Sequence, residues 1–326
     1  MKKQKPGKQI LFFGVILILV LVMFYSGLQI LESTVFRSPQ EDGTIASKTV
    51  IRDGVKYFPR QDITIVMLIG VDQYGEVTPS LGYQNAGLAD MISLLIFDER
   101  EQNCRVLALN RDTMLEMPVL GIGGKVAGTA FGQLALSHTY GTGMEDSCEN
   151  TRNAVSKFLH DLSIDYYVAM NMDAISILND AVGGVTVTVS DDFSEINPDI
   201  PMGEVTLMGK QAIDFVRSRS GVGNQLNVSR MERQKAYMQG FMTSLHRSMQ
   251  EGAGFGLSTY ETVSPYLVSD CSWNVINSLM NRYKDYEIVE VVSPAGRNVA
   301  GAEYYEFYVD EASLDDLILR LFYAPK

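Results

Sequence analysis

From Ile63 to the C-terminus, short runs of branched apolar residues alternate with longer stretches in which apolar positions recur every three or four residues. The short runs predict strands over Ile63 to Ile69, Met91 to Phe97, Arg105 to Leu109, Tyr166 to Met170, Val185 to Val189, Glu287 to Val292 and Tyr304 to Val309. Several are apolar at every position, as expected for strands covered on both faces. The longer stretches predict helices. Val155, Phe158, Leu159 and Leu162 fall at i, i+3, i+4 and i+7 of a segment from Asp146 to Leu162, and Asp146 and Glu149 suit its positive N-terminal end. Met172 to Val182 repeats the logic and stops at Gly183-Gly184. Further helices are expected from Ser229 to Met249, with Met238, Phe241, Met242 and Leu245 as a core stripe, from Asp270 to Tyr283, and from Glu311 to Phe322. This layout is α/β: three layers, α/β/α, with a central mixed sheet flanked by helices, forming one domain over residues 62–326.

The N-terminal pattern is different. Lys2, Lys3, Lys5 and Lys8 precede an uncharged, mainly apolar stretch from Ile10 to Leu31, which at about 1.5 Å per residue spans a hydrocarbon core of roughly 30 Å. It reads as a single-pass transmembrane anchor (10–31) behind a cytoplasmic tail (1–9), because flanking lysines stay on the cytoplasmic side. The run exceeds the apolar part of a signal peptide, and no small-x-small cleavage pattern follows. The rest of the chain is then extracytoplasmic. Residues 32–61 are polar and mixed and read as a linker, with a short strand around Lys48 to Ile51.

Charge narrows the functional classes. The chain carries a formal net charge of −12, and the body without the N-terminal lysines is more acidic still, which disfavours nucleic acid as a partner. Cys104, Cys148 and Cys271 are too few and scattered for a disulfide framework or a zinc site, although an outward-facing domain could pair Cys148 with Cys271. His138, His160 and His246 show no ligand spacing, and no Gly-x-Ser-x-Gly elbow is present.

Two carboxylates remain beside apolar runs. Asp72 follows the first strand through Gly70, and Asp90 stands directly before the second. In an open α/β sheet, ligands collect beyond the carboxyl ends of strands. Two carboxylates brought together repel unless a cation joins them, and magnesium typically takes one or two carboxylates plus phosphate oxygens and water. Arg111 follows the third strand without a gap, where its planar fork can face phosphate while Asp112 steadies it. Arg217 and Arg219 stand at i and i+2, on one side of an extended segment but diverging on a helix. Arg230 and Gln234 are four apart on one helical face. A shared partner for these residues is a divalent cation with a pyrophosphate.

The ordered set Gly70-Val71-Asp72, Ala89-Asp90, Arg111-Asp112-Thr113, Ile164-Asp165-Tyr166-Tyr167-Val168, Val182-Gly183-Gly184-Val185, Val216-Arg217-Ser218-Arg219 and Arg230-Met231-Glu232-Arg233-Gln234 resembles the LytR-CpsA-Psr family from about Ile63 to Met242. The resemblance implies a membrane-anchored phosphotransferase that moves a phosphate-linked glycopolymer, such as teichoic acid or capsule, from a polyprenyl pyrophosphate carrier to a peptidoglycan hydroxyl. It further implies that Asp72 and Asp90 hold Mg2+, with Mn2+ able to substitute, and that Arg111, Arg217, Arg219, Arg230 and Gln234 grip the pyrophosphate. Asp72, Asp90, Arg111, Arg217 and Arg219 are the implied catalytic set. An apolar tunnel for the polyprenyl tail is expected between sheet and helices. The sequence departs from the family pattern at Leu88 and Asn110, where arginine and proline are common, and at Asn227, where an acidic residue is frequent. A hydrolase using water as acceptor, or a non-catalytic polyprenyl-phosphate binder, would use the same residues.

Overall fold

The computed structural model describes residues 49–218, 221–223, 227–251, 255–283, 285–301 and 304–325. The expected tail, the anchor, the first part of the linker and Arg219 lie outside the described residues. Among the described residues no helix is long and apolar enough to cross a membrane.

The chain opens with strands β1 (Val50–Arg52) and β2 (Val55–Pro59), joined at Asp53-Gly54, where both residues adopt positive φ (51° and 77°). That backbone matches the twist of a two-residue hairpin, which Asp-Gly favours. The hairpin corrects the expected boundary: the end of the supposed linker pairs with a strand at the C-terminus, Tyr323–Pro325, and is part of the folded body. Next come β3 (Ile63–Val71), β4 (Ala89–Asp98), β5 (Asn103–Leu109) and a hairpin of β6 (Met114–Leu120) and β7 (Val126–Gln133). Helix α1 (Glu145–Phe158), β8 (Tyr166–Met170), α2 (Met172–Ala181), β9 (Val185–Val189), β10 (Gly203–Leu207) and α3 (Lys210–Arg217) follow. The remainder runs through α4 (Asn227–Glu251), α5 (Phe255–Val263), β11 (Leu267–Ser269), α6 (Trp273–Tyr283), β12 (Glu287–Val292), the hairpin β13 (Gly296–Ala300) and β14 (Tyr305–Val309), and α7 (Glu311–Phe322), which leads into β15 (Tyr323–Pro325).

The central sheet has the order β11-β8-β3-β4-β5-β12. It is mixed: β3 runs parallel to β8 and β5 parallel to β12, whereas β4 is antiparallel to both its neighbours. Alternation along each strand divides two cores. Val66, Leu68, Leu95 and Phe97 face α2, α3, α4 and α6, while Ile65, Met67, Ile69, Leu94 and Ile96 face α1 and α7. Both faces are therefore covered, which is why these strands read as continuous apolar runs. Each such side chain contributes about 1.5–3 kcal/mol by leaving water, and a Leu68→Ala change at this fully buried position costs about 2–5 kcal/mol.

Two helix boundaries depart from the periodicity. Helix α1 stops at Phe158 because His160 and Asp161 adopt left-handed φ (59° and 63°), so Leu162 packs from a turn. The Asp270 carboxylate accepts the Tyr167 backbone N–H at 2.9 Å, tying it to β8, and α6 begins only at Trp273. The three cysteines are free and buried: Cys148 sits by His138 and Cys271 by Asp270, so Cys148 and Cys271 form no pair.

Candidate functional site

β3, β5 and β8 all end on the sheet edge where β4 begins, and this edge gathers the site. Asp72 immediately follows β3, and its backbone N–H donates to the Leu88 carbonyl at 2.9 Å. The register between β3 and β4 shifts there: Gly70 faces Met91 and Val71 faces Ala89, leaving Asp90 as the unpaired residue of a bulge. A bulge re-aims one side chain at a strand end. On the other side of β4, Ile92 pairs with Leu109, so the chain leaving β5 brings Arg111 beside Asp90.

The carboxylate of Asp90 is held from two directions. Arg111 Nη1 donates to Oδ1, and Arg230 Nη1, from the first turns of α4, lies 3.3 Å from Oδ2. All three side chains are nearly enclosed, with 10%, 13% and 5% exposure for Asp90, Arg111 and Arg230. Buried charges persist only when paired, so this triad is a fixed device rather than a surface contact. Arg111 Nε is buried without a hydrogen-bond acceptor; Asp112 Oδ1 stands 3.4 Å away, outside bonding alignment.

The second carboxylate is more open. Arg217 Nη2 reaches both oxygens of Asp72, at 2.9 and 3.0 Å, and Nη1 donates to the Tyr74 hydroxyl at 3.4 Å. The Asp72 hydrogen bond raises the Arg217 pKa against the opposing effect of burial. Arg217 is the last residue of α3, where a cation also suits the negative helix end. Of the two alternatives open for Val216 to Arg219, Arg217 takes the helical one, and the backbone turns extended at Ser218.

Gln234 and Arg233 fix that helix end from α4. Gln234 Nε2 donates to the Val216 carbonyl at 3.2 Å, and Arg233 Nε donates to that of Phe215 at 3.1 Å. Arg233 also reaches the Ser218 carbonyl and, at 2.8 Å, Asp191. Arg233 and Tyr74 were not predicted as site residues. Arg233 could have been recognised by its position beside Gln234, but a lone Tyr74 in a polar loop carries no sequence signal. Asp90, Arg217, Arg230 and Gln234 line one cavity of about 70 Å³ whose other wall is apolar, formed by Met91, Met170, Met172, Ile175, Tyr237 and Met238.

The LytR_cpsA_psr family model matches residues 35–321. This chain belongs to the LytR-CpsA-Psr family. The polyisoprenyl-teichoic acid–peptidoglycan teichoic acid transferase TagU of Bacillus cereus (strain AH820) is 26% identical over 259 residues, covering 78% of this chain and 77% of TagU. Protein gbs0355 of Streptococcus agalactiae superposes with a TM-score of 0.64 at 20% identity, over 80% of this chain and 86% of its own. TagT of B. subtilis gives 0.56 at 21%, over 80% and 90%. These structures share the mixed α/β fold with its central mixed sheet.

Against the LytR-CpsA-Psr pattern, two departures have a local account. Asn110 replaces a rigid proline turn with a hydrogen-bonded one: its Oδ1 accepts Asp112 N–H at 3.0 Å, and its carbonyl accepts Thr113 N–H at 3.0 Å and the Thr113 hydroxyl at 2.6 Å. Leu88 supplies the carbonyl that orders Asp72, a contact independent of its side chain. Asn227 is the first residue of α4.

Proposed function

We propose that this chain is a transferase that moves a phosphate-linked glycopolymer from a polyprenyl pyrophosphate carrier to a hydroxyl of peptidoglycan. The observation that carries this reading is the composition of one cavity: a carboxylate and two arginines share its lining with a wall of methionines, isoleucine and tyrosine. An amphipathic ligand with a strongly anionic head and an apolar tail suits both halves. The teichoic acid transferase named TagU, similar over most of its length, supports the same chemistry.

Asp72 and Asp90 would hold Mg2+. The donor set fits: these are two hard carboxylates, and among the described residues no group of three metal-ligating side chains exists. That leaves coordination positions to phosphate oxygens and water, the usual habit of magnesium. When bound, the ion would neutralise charge on the pyrophosphate. The protein residues divide the remaining work. Arg111 and Arg230, kept beside the cavity by Asp90, would stabilise the non-bridging oxygens, and Arg217 those nearer Tyr74 and solvent. The acceptor hydroxyl attacks the phosphorus that carries the glycopolymer, the bond to the bridging oxygen breaks, and polyprenyl phosphate leaves. One of the two aspartates takes the hydroxyl proton.

In this reading the chain sits on the outer face of a membrane, anchored by Ile10 to Leu31, with the tail of its substrate against the Met91 and Met238 wall. The test is transfer of labelled polymer to peptidoglycan by Asp90→Ala and Arg217→Ala proteins. Both should lose about 10³-fold or more of the rate while staying folded. Normal attachment by either would overturn the assignment, and fast acceptor-independent phosphate release would make the protein a hydrolase.

A further inference from the structure

One buried titratable side chain close to the site has no part in the proposed reaction. His138 is 1% exposed, and its Nδ1 lies 2.9 Å from the carbonyl of Gly87, in the segment that returns the chain from Asp72 to Asp90. Because a carbonyl only accepts, the ring proton is on Nδ1, and Nε2 presents its lone pair to the Cys148 thiol 3.9 Å away. Burial lowers the His138 pKa, which keeps the ring neutral and this arrangement intact. With both nitrogens engaged and no route to solvent, His138 does not serve as a general base.

The segment it holds is constrained from every side. Asn85 N–H donates to the Thr139 carbonyl at 2.9 Å, and its side-chain amide nitrogen lies 2.8 Å from the His138 carbonyl, 3.1 Å from that of Gly141 and 3.1 Å from Ser147 Oγ. The other end of the same amide accepts Gly87 N–H at 2.7 Å. Gly87 is packed so closely that a Cβ would stand 2.8 Å from Val71 Cγ1 and 2.9 Å from both Asn85 Oδ1 and Gln73 Cδ. Only glycine lets the returning chain lie against the end of β3. The next residue, Leu88, receives the Asp72 N–H, and two residues further the chain enters the bulge at Asp90.

We propose that His138 is a positioning residue for the transfer reaction: by holding the Gly87 carbonyl it fixes where Asp72 and Asp90 stand relative to each other. The inference rests on the reading above that these two carboxylates act on one ligand. A carboxylate displaced by even about 1 Å from its working position is expected to slow chemistry up to about 10²-fold, and substrate binding through the apolar wall is untouched. The effect therefore falls on kcat, with KM for the lipid-linked donor changed less than about twofold.

The chemistry of the ring gives a discriminating pair of variants. In His138→Asn the side-chain amide nitrogen occupies the place of Nδ1 and restores the donor to Gly87; in His138→Gln it occupies the place of Nε2 and does not. We expect His138→Asn to keep kcat within about threefold of wild type and His138→Gln to lose tenfold or more, both with melting temperatures above the assay temperature. A residue that merely fills space would rank the larger glutamine at or above asparagine, and that order, or two unaffected variants, overturns the proposal. If neither variant folds, the 15N chemical shifts of the His138 ring in the wild-type protein decide: a proton on Nδ1 supports the bond to Gly87 and with it the proposal, and a proton on Nε2 leaves the Gly87 carbonyl unheld and overturns it. Wild-type protein that transfers no polymer at all would instead refute the underlying function.

Discussion

Strand β4 carries an aspartate near each end, each gripped by two arginines, and the two ends do different things. At its C-terminal end Asp98 is fully enclosed; it accepts Arg60 Nη1 at 2.7 Å, Arg105 Nη1 at 3.0 Å, and the backbone N–H groups of Arg100 and Glu101 at 3.2 and 3.0 Å. Burial alone would push its pKa up, but the bonds from Arg60, Glu101 and Arg105 outweigh that and leave it at about 2. This carboxylate is saturated within the protein. At the N-terminal end Asp90 meets, among the described residues, the two guanidinium groups, at a bulge, and borders a cavity. Paired charge alone therefore does not mark a site. What distinguishes Asp90 is bonding capacity left over beside a space that a ligand can enter.

The largest expected contrast comes from exchanging the two losses. Asp90→Ala should lower transfer by about 10³-fold with a near-normal urea midpoint, whereas Asp98→Ala should destabilise the fold by about 2–3 kcal/mol, because it strips a buried acceptor from two guanidinium groups and two turn N–H groups while Arg60 keeps Asp62 and Arg105 keeps Glu101, yet leave transfer per folded molecule intact. If Asp98→Ala proved inactive while folded, the two ends would not be separable. Titration gives a second contrast. Asp98 has a folded pKa below its ordinary 3.8, so its contribution is fully present above about 3.8 and lost as pH falls through about 2. The stability difference between wild type and Asp98→Asn should shrink by about 2 kcal/mol across that window in urea melts. Asp165 and Asp270, whose pKa values burial raises, change stability with the opposite sign and are common to both proteins, so they cancel in the difference.

Smaller effects sharpen the site end. Asn110→Ala removes the acceptor for Asp112 N–H and should cost about 1 kcal/mol by thermal melting, with Asn110→Pro recovering part of it through a fixed φ. Leu88→Arg would add a cation beside Asp72 without touching the carbonyl that orders it. A fall in KM for the lipid donor of about threefold is expected from one exposed charge. A collapse of kcat would show that the half-buried Leu88 side chain has a packing role.

The central sheet was legible because its strands are buried on both faces, and Tyr166–Met170 matches its expected bounds; Val185–Val189, paired with β10 outside that sheet, matches through alternation instead, with its valines buried and Thr186 and Thr188 exposed. The hairpin β6–β7 was not, since most of β7 is exposed and glycine-interrupted and β6 contains Pro118. Helix α3 was missed because it is short and its apolar Ile213, Phe215 and Val216 also suit a strand. At the site, Asp72, Asp90, Arg111, Arg217 and Arg230 were named from strand ends and spacing, and the fold draws them together in two ion-paired groups. Their pairing was not legible: it depends on a one-residue register shift in β4 and on α4 crossing the sheet edge, neither of which local sequence encodes. The Asn85, Gly87 and His138 contacts were hidden for the same reason, joining residues more than fifty positions apart.

The most direct test of the central claim, that the Asp90 end of β4 receives a polyprenyl pyrophosphate, is native mass spectrometry of the full chain purified from membranes. The account predicts a co-purified polyprenyl phosphate or pyrophosphate adduct on wild-type protein that is lost in Arg230→Ala and retained in Arg60→Ala. Wild-type protein without such an adduct after incubation with the lipid, or an adduct indifferent to Arg230→Ala, would contradict it.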